Sequence, residues 1–484
     1  MDGEVGLLID GKLVEASSGQ TFVNINPATE EPIGETADAG APDMDAAISA
    51  ARRAFDSTAW ATDPSFRRRC LEQLQTALRD ERERLRELLV AEAGTPILLT
   101  YLIQLDMPID DLTWWAELAE RYEYERPLPD ASAFGMTSRR LVWREAAGVV
   151  GAITPWNFPL YLNLAKLGPA LAAGCTVVLK PAPDTPWSAT ELGRLIAERT
   201  DIPPGVVNVV PSSDPMLGEL LTTDPRVDMI TFTGSTVTGR RVMASAAATV
   251  KRVFLELGGK SAHVVLDDAD LTAAVPMAAM GVCTHAGQGC AISTRLLLPR
   301  SRYEEGVELA RSAMEGVRCG DPRDPSVLIG PLISARQRDR VLGYVARGRE
   351  EGRVVLGGGR PADLERGYYV EPTLFADVEP AAVIAQEEIF GPVLVVIPHD
   401  GDDDAVRIAN QTMYGLSGVV SGGDEGRALG VARRMRTGTV GINGGQWIAV
   451  DSPFGGFRQS GVGREGGIEG FEQYLETKTI GLPT

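Results

Sequence analysis

Between Gly148 and Gly259 short apolar runs alternate with segments of helical spacing, and no other feature of the sequence constrains the fold as strongly. VVGAIT precedes a helix through LAKLGPALAAG, CTVVLKP precedes a helix over SATELGRLIAERT, and VVNVV and MITFTG extend the series. Strands separated by whole helices cannot pair as hairpins, so crossovers must set them side by side in a parallel sheet covered on both faces. Sheets of this α/β class bind nucleotides at the carboxyl ends of their strands. A second region, from about Gly259 to Gly456, repeats the logic with GVRCGDP, RVVLGGG and VLVVIPH as landmarks. The chain has 484 residues, too many for one hydrophobic core, so two sizeable domains with smaller appendages are expected.

The flanking segments are less regular. GLLIDGKLV and QTFVNINPAT are short strand-like pieces, and helical periodicity runs from Met44 to Ala93. Within it, RRRCLEQLQTALRDERERLRELLVAEAG reads as a surface helix pair whose charges form a solvated face. TSRRLVWREA alternates like an edge or intersubunit strand, and the tail EQYLETKTIGLPT alternates weakly, as a strand in need of a partner does.

Composition excludes several function classes. Hydrophobic residues make up 44% and charged residues 23%, ordinary values for a soluble globular protein. No apolar run reaches the roughly 18 residues that span a bilayer. The opening MDGEVGLLIDGK has no secretory pattern, so the cytoplasm is the expected location. A net charge of -19 disfavours nucleic acid and anionic membranes as partners. Five scattered cysteines without a CxxC pair, and only three histidines, suggest neither a disulfide framework nor a metal site.

The candidate chemistry lies in a few local patterns. Cys290, in HAGQGCAISTR, has glycine on its amino side that bares the backbone and lets a substrate approach the sulfur; a buried, inert thiol is the competing reading, and it suits Cys70, Cys175, Cys283 and Cys319 better. Glu256 ends the apolar run RVFLE just before LGGK, a place for a general base or for a carboxylate held in a local ion pair. In TFTGSTVTGR a strand ends at Gly234 and Ser235 and a helix follows through Gly239, so exposed N–H groups can attract phosphate. Lys180, at the end of CTVVLK, can bind a ribose or phosphate or simply face solvent. Asn157, between Pro155 and Pro159 in TPWNFP, can be aimed as an oxyanion donor or serve as a turn residue. EEIFGP and PFGGFRQSGVGREGG are unusual but carry no role on physical grounds alone.

Taken in order, TPWNFP, FTGST, ELGGK, GQGC, EEIFGP and PFGGFRQSGxGRE resemble the aldehyde dehydrogenase superfamily over nearly the whole chain. The resemblance implies that Cys290 is the nucleophile, Glu256 the general base, and the Asn157 amide with the Cys290 N–H the oxyanion hole. The thiolate adds to the aldehyde, hydride passes to a nicotinamide to leave a thioester, and Glu256 activates the water that releases the acid. It further implies that Lys166 and Glu465 relay protons, and that Ile153, Pro155, Trp156, Lys180, Phe232, Gly234, Ser235, Gly239 and Leu257 hold the dinucleotide, with Glu388 and Phe390 at its nicotinamide end. The implied architecture is a Rossmann-like cofactor domain (1–124 and 147–258), a second α/β catalytic domain (259–458) and a β oligomerisation arm (125–146 and 459–484). A homodimer or homotetramer acting on a small-molecule aldehyde follows, with no metal.

Two departures from the family pattern matter. Many NAD-preferring members place a glutamate three residues after the strand-end lysine, where this chain has Pro183, so the cofactor is NAD or NADP, with NAD ahead. Ala165 and Ile448 stand where some relatives carry bulky aromatics, implying a roomy apolar pocket whose other walls are Phe158, Tyr161, Leu162, Trp447 and Phe454. No arginine is evidently placed to bind a carboxylate on the substrate. Acyl transfer to coenzyme A is the alternative outcome, disfavoured because Glu256 is retained; a cofactor-independent thiol esterase is another, disfavoured by the complete cofactor set.

Overall fold

The structure, a computed structural model, describes residues 6–484. Its centre is an eight-stranded sheet in which Arg252–Glu256, Met229–Thr233, Val149–Ile153, Thr176–Lys180 and Val207–Val209 run parallel, in that spatial order. Leu7–Ile9 and Lys12–Val14 close one edge antiparallel, and Gly461–Val462 closes the other against Leu255 and Glu256. Gly461–Val462 therefore belongs to this sheet, although it falls inside the 459–484 span expected for the arm.

Successive side chains of the central strands enter different cores. Val150, Ala152, Val177 and Leu179 pack on one face with Leu164, Leu167 and Trp60, while Val149, Val178, Ile230 and Phe232 pack on the other with Met44, Ile48 and Leu221. Burial on both faces explains why these strands read as continuous apolar runs rather than as alternation.

The second sheet has seven strands in the order Arg353–Leu356, Thr373–Ala376, Val393–His399, Ser293–Pro299, Ser261–Val265, Gly418–Ser421 and Gly441–Ile442. All its neighbours are parallel except the first pair. GVRCGDP contributes no strand to it, only an isolated bridge from Cys319 to Ile329. A third sheet pairs Leu475–Pro483, Met136–Ala146 and Glu125–Ala133 antiparallel. TSRRLVWREA thus lies in a central strand and not at an edge; the tail supplies the partner that leaves Glu125–Ala133 outermost.

The expected surface helix pair is more deeply set than its charges suggest. Arg67 and Arg86 are almost fully buried. Arg67 donates to the carbonyls of Ala172 and Trp60, both at 3.0 Å, and to the Tyr124 hydroxyl. Arg86 meets Thr100 Oγ1 at 2.8 Å and Asp106. A guanidinium has five donors in a rigid fork, and carbonyls at a helix end can satisfy it without water. The sequence reading does not contain the amphipathic helix Asp106–Arg121, whose Ile109, Leu112, Trp115 and Ala119 pack into the core. No helix among the described residues is long and apolar enough to cross a membrane.

Candidate active site

Cys290 follows a short 3-10 turn, Thr284–Gly287, with an unusual backbone: His285, Ala286 and Gly287 have φ of 51°, 52° and 71°. Two non-glycine residues in the left-handed region are strained, and the surroundings must hold them. His285 Nε2 donates to the Asn157 carbonyl at 2.8 Å, and its amide N–H donates to Leu328. Burial holds the imidazole near 4, so it is neutral. The Gln288 side chain donates to the His285 and Pro331 carbonyls and accepts from Ile333 N–H at 3.0 Å. At Gly287 a Cβ would stand 2.1 Å from the Gly391 carbonyl oxygen, so only glycine fits the turn.

The same network fixes Asn157. Its carbonyl also accepts from Gln104 Nε2 at 3.0 Å, and its own Nδ2 donates to the Gln288 carbonyl at 2.9 Å. One amide hydrogen is thereby tied to the cysteine loop, and the other is available to the cavity that Asn157 lines. The Cys290 N–H has no backbone acceptor among the described residues.

Glu256 comes to Cys290 from the first sheet. It ends the strand Arg252–Glu256, and glycines 258 and 259 let the next turn graze the cysteine loop, where a Cβ on Gly259 would lie 2.6 Å from the Cys290 carbonyl oxygen. Burial, then the charge of Glu465, lifts the Glu256 carboxyl to about 8; Lys166 and a hydrogen bond from the Cys290 thiol pull the other way. Burial and the facing Glu256 push the thiol well above its ordinary range. The pair therefore rests protonated near neutral pH. Beyond it, Lys166 Nζ and Glu465 Oε1 form a buried ion pair at 2.6 Å, with Nζ 4.5 Å above the Phe254 ring. Glu256 Oε1 and Glu465 Oε2 have no hydrogen-bond partner among the described residues and can each bond a water entering the cavity.

That cavity has a volume of about 270 Å³, and Cys290, Glu256, Asn157 and Glu465 line it. So do Phe158, Tyr161, Leu162, Ala165, Trp447, Ile448 and Phe454, drawn together from two distant segments. Trp447 and Phe454 stack at 5.2 Å, and Ile448 is 41% exposed. The helix Asp106–Arg121 and the turn before it add Ile103, Met107, Asp111 and Trp115. None of these four has a local sequence signal.

Several of the expected cofactor residues lie at strand ends of the first sheet or in the turns that follow. Ser235 caps the helix Thr236–Ala246, accepting from Thr238 N–H at 3.2 Å. A Cβ on Gly239 would lie 2.4 Å from Leu257 Cδ2, and one on Gly234 would lie 2.6 Å from the Phe232 ring, so both glycines permit close packing beneath the turn. Ile153 closes its strand, and Trp156 meets Phe390 edge to face at 5.4 Å, just past Pro155. Glu388 accepts from Gly259 N–H at 2.8 Å, and burial raises its carboxyl to about 7. Lys180 does not face solvent. It is buried, its one hydrogen bond is a 3.4 Å contact to Pro181, and burial lowers it to about 8. A buried ammonium so poorly satisfied is suited to an incoming hydroxyl or phosphate.

A model of the aldehyde dehydrogenase family matches residues 13–480. The chain belongs to the aldehyde dehydrogenase family. It is 42% identical over 98% of its length to the 3-succinoylsemialdehyde-pyridine dehydrogenase of a Pseudomonas species, covering 97% of that protein. It is 41% identical to the geranial dehydrogenase of Castellaniella defragrans, over 98% of each chain. Among solved structures, the Mycobacterium tuberculosis aldehyde dehydrogenase complexed with NAD+ superposes with a TM-score of 0.95 at 43% identity, covering 100% of this chain and 99% of that one. The aldehyde dehydrogenase site missing from the sequence reading consists of Gln104, His285 and Gln288 behind Asn157, together with the cavity wall from Asp106–Arg121. Only Gln288, inside GQGC, sits in a motif that could have pointed to it.

Proposed function

We propose that this chain oxidises an aldehyde to a carboxylic acid with NAD, using Cys290 as nucleophile and Glu256 as general base. The observation that carries the reading is the meeting of Cys290, Glu256 and Asn157, from three separate segments, in the wall of one apolar cavity. Ionised Glu256 takes the thiol proton, and the thiolate adds to the aldehyde carbon. The free Asn157 amide hydrogen and the Cys290 N–H stabilise the resulting oxyanion. NAD held beside Cys290 would supply the hydride acceptor, leaving a thioester on the Cys290 sulfur. Glu256 passes the thiol proton toward Glu465 and Lys166, and, ionised again, takes a proton from the attacking water as the Cys290 thiolate leaves.

The residues at the strand ends suit a dinucleotide. Lys180 would offer its ammonium to the adenosine ribose, the Ser235-capped helix start would hold the diphosphate, and Glu388 would accept from the second ribose. The carboxylates of Asp214 and Asp38 act on Lys180. They supply the negative charge that Pro183 does not, which favours NAD over a cofactor with an added phosphate. All five cysteines are free, as suits the reducing cytoplasm and a catalytic thiol. The arm leaves the edge strand Glu125–Ala133 without an outer partner, beside the exposed Phe134 and Met136, and we assign it to a homodimer or homotetramer contact.

Incubation with NAD or NADP and a panel of aliphatic and aromatic aldehydes, followed by absorbance of the reduced cofactor, tests the reading. Reduction is expected with wild type and NAD, and a loss of at least about 10⁴-fold with Cys290→Ala. A folded, fully reduced protein that turns over no aldehyde, or a Cys290→Ala variant that still does, would overturn it.

A further inference from the structure

The cavity beside Cys290 holds a carboxyl that the reaction does not use. Asp111 projects from the helix Asp106–Arg121 into its lining. Its carboxyl is in no ion pair or hydrogen bond with a described residue; partial burial and the like charges of Asp110 and Asp451 act on it, and together they raise it to about 6. It is still an anion at neutral pH, in an otherwise apolar wall where an unpaired charge is costly.

Nothing else in the lining compensates that charge. Among the described residues, none that lines the cavity is a lysine, arginine or histidine. Of its other two carboxyls, Glu465 is paired with Lys166, and Glu256 is protonated near neutral pH. Aromatic rings share the lining with Asp111. Trp115 lies one turn along the same helix, Tyr161 feels the charges of both Asp111 and Cys290, and Trp447 stacks on Phe454. The face of an aromatic ring is electronegative, so rings and carboxylate ask for the same occupant.

We propose that this cavity selects aldehydes bearing a cationic nitrogen remote from the carbonyl, with Asp111 as counter-ion and the aromatic walls as the rest of the cation's site. The inference rests on the dehydrogenase reading above and names the substrate class for the same site. A cation placed there neutralises Asp111 while its alkyl groups lie against the rings, and the aldehyde carbon reaches Cys290. An aldehyde with a carboxylate in the same place meets like charge and no partner, and is rejected.

The test compares three aldehydes of equal chain length that end in trimethylammonium, tert-butyl or carboxylate. The first two are nearly isosteric and differ in charge, and neither can cyclise onto its own carbonyl. With NAD saturating, wild type is expected to show kcat/KM about tenfold higher for the trimethylammonium aldehyde than for the tert-butyl one, with the carboxylate lowest. Asp111→Asn should bring the first ratio close to one, and Asp111→Glu should retain most of it. Turnover of the tert-butyl aldehyde without a cation preference, or a preference that survives in Asp111→Asn, overturns this inference alone. Failure of wild type on these three while it turns over other aldehydes also overturns this inference alone; failure on every aldehyde overturns the dehydrogenase reading and this inference with it.

Discussion

Ile153, Lys180, Ser235 and Glu256 each hang from the end of a buried parallel strand or from the turn that follows. On the aldehyde side the wall comes from two helices, Asp106–Arg121 and Pro159–Ala173, and from the irregular segment around Trp447 to Phe454. A strand end in a sheet buried on both faces has almost no freedom, because moving it would disturb the ladder on either side. Helix faces and loops can change their side chains without moving any strand. The two walls can therefore vary independently, chemistry on one and choice of aldehyde on the other.

The largest effect expected on the chemical side is from Glu256→Gln, which should lower kcat by about 10² to 10⁴ while leaving the thiol in place. The same variant tests the electrostatics. A carboxyl that burial raises from 4.5 to about 8 binds its proton more tightly in the folded state, so wild-type stability falls as pH rises from about 4.5 through 8. Glu256→Gln should be more stable than wild type above pH 8, by on the order of 5 kcal/mol, and nearly equal to it near pH 4.5. Wild-type kcat/KM should climb between pH 7 and 9 as the Cys290 and Glu256 pair loses its proton, with an apparent pKa that belongs to the pair.

Next in size is Asn157→Ala, expected to cost about 10² to 10³ in kcat. A loss confined to KM would instead make Asn157 part of the aldehyde wall and blur the division. Lys180→Met should raise KM for NAD about tenfold without moving KM for the aldehyde. The smallest effect is from Ala165→Trp, which adds bulk to the cavity and should raise KM severalfold for branched and aromatic aldehydes only. Steady-state titration of both substrates checks each; a shift in KM for NAD with Ala165→Trp would break the comparison.

The cofactor wall was legible in the sequence because each of its pieces is local: an apolar run, a glycine or two, a polar residue at the exit. Phe158 lies within TPWNFP, and Tyr161, Leu162 and Ala165 follow it closely enough to be read with it. Asp111 was not readable. Asp110 and Asp111 are neighbours in sequence, yet a helix turns about 100° per residue. Asp110 reaches Arg79 at 2.7 Å on the outside, and Asp111 faces the cavity. Arg67 and Arg86 were misread for a related reason, since their acceptors come from Ala172, Thr100 and Asp106, and no local pattern announces them. The left-handed turn at His285 and Ala286 depends on Asn157, Gln288 and Leu328, so it too becomes visible only once the segments meet.

Gly461–Val462 closes the first sheet beside Glu256, and Glu465 follows it directly. During synthesis these residues leave the ribosome long after the strand they complete. Until then Lys166 lacks its counter-ion and Leu255 lacks its edge partner, so the nascent chain carries Cys290 and Glu256 without Glu465 beside them. The site is complete only once almost the whole chain has been made.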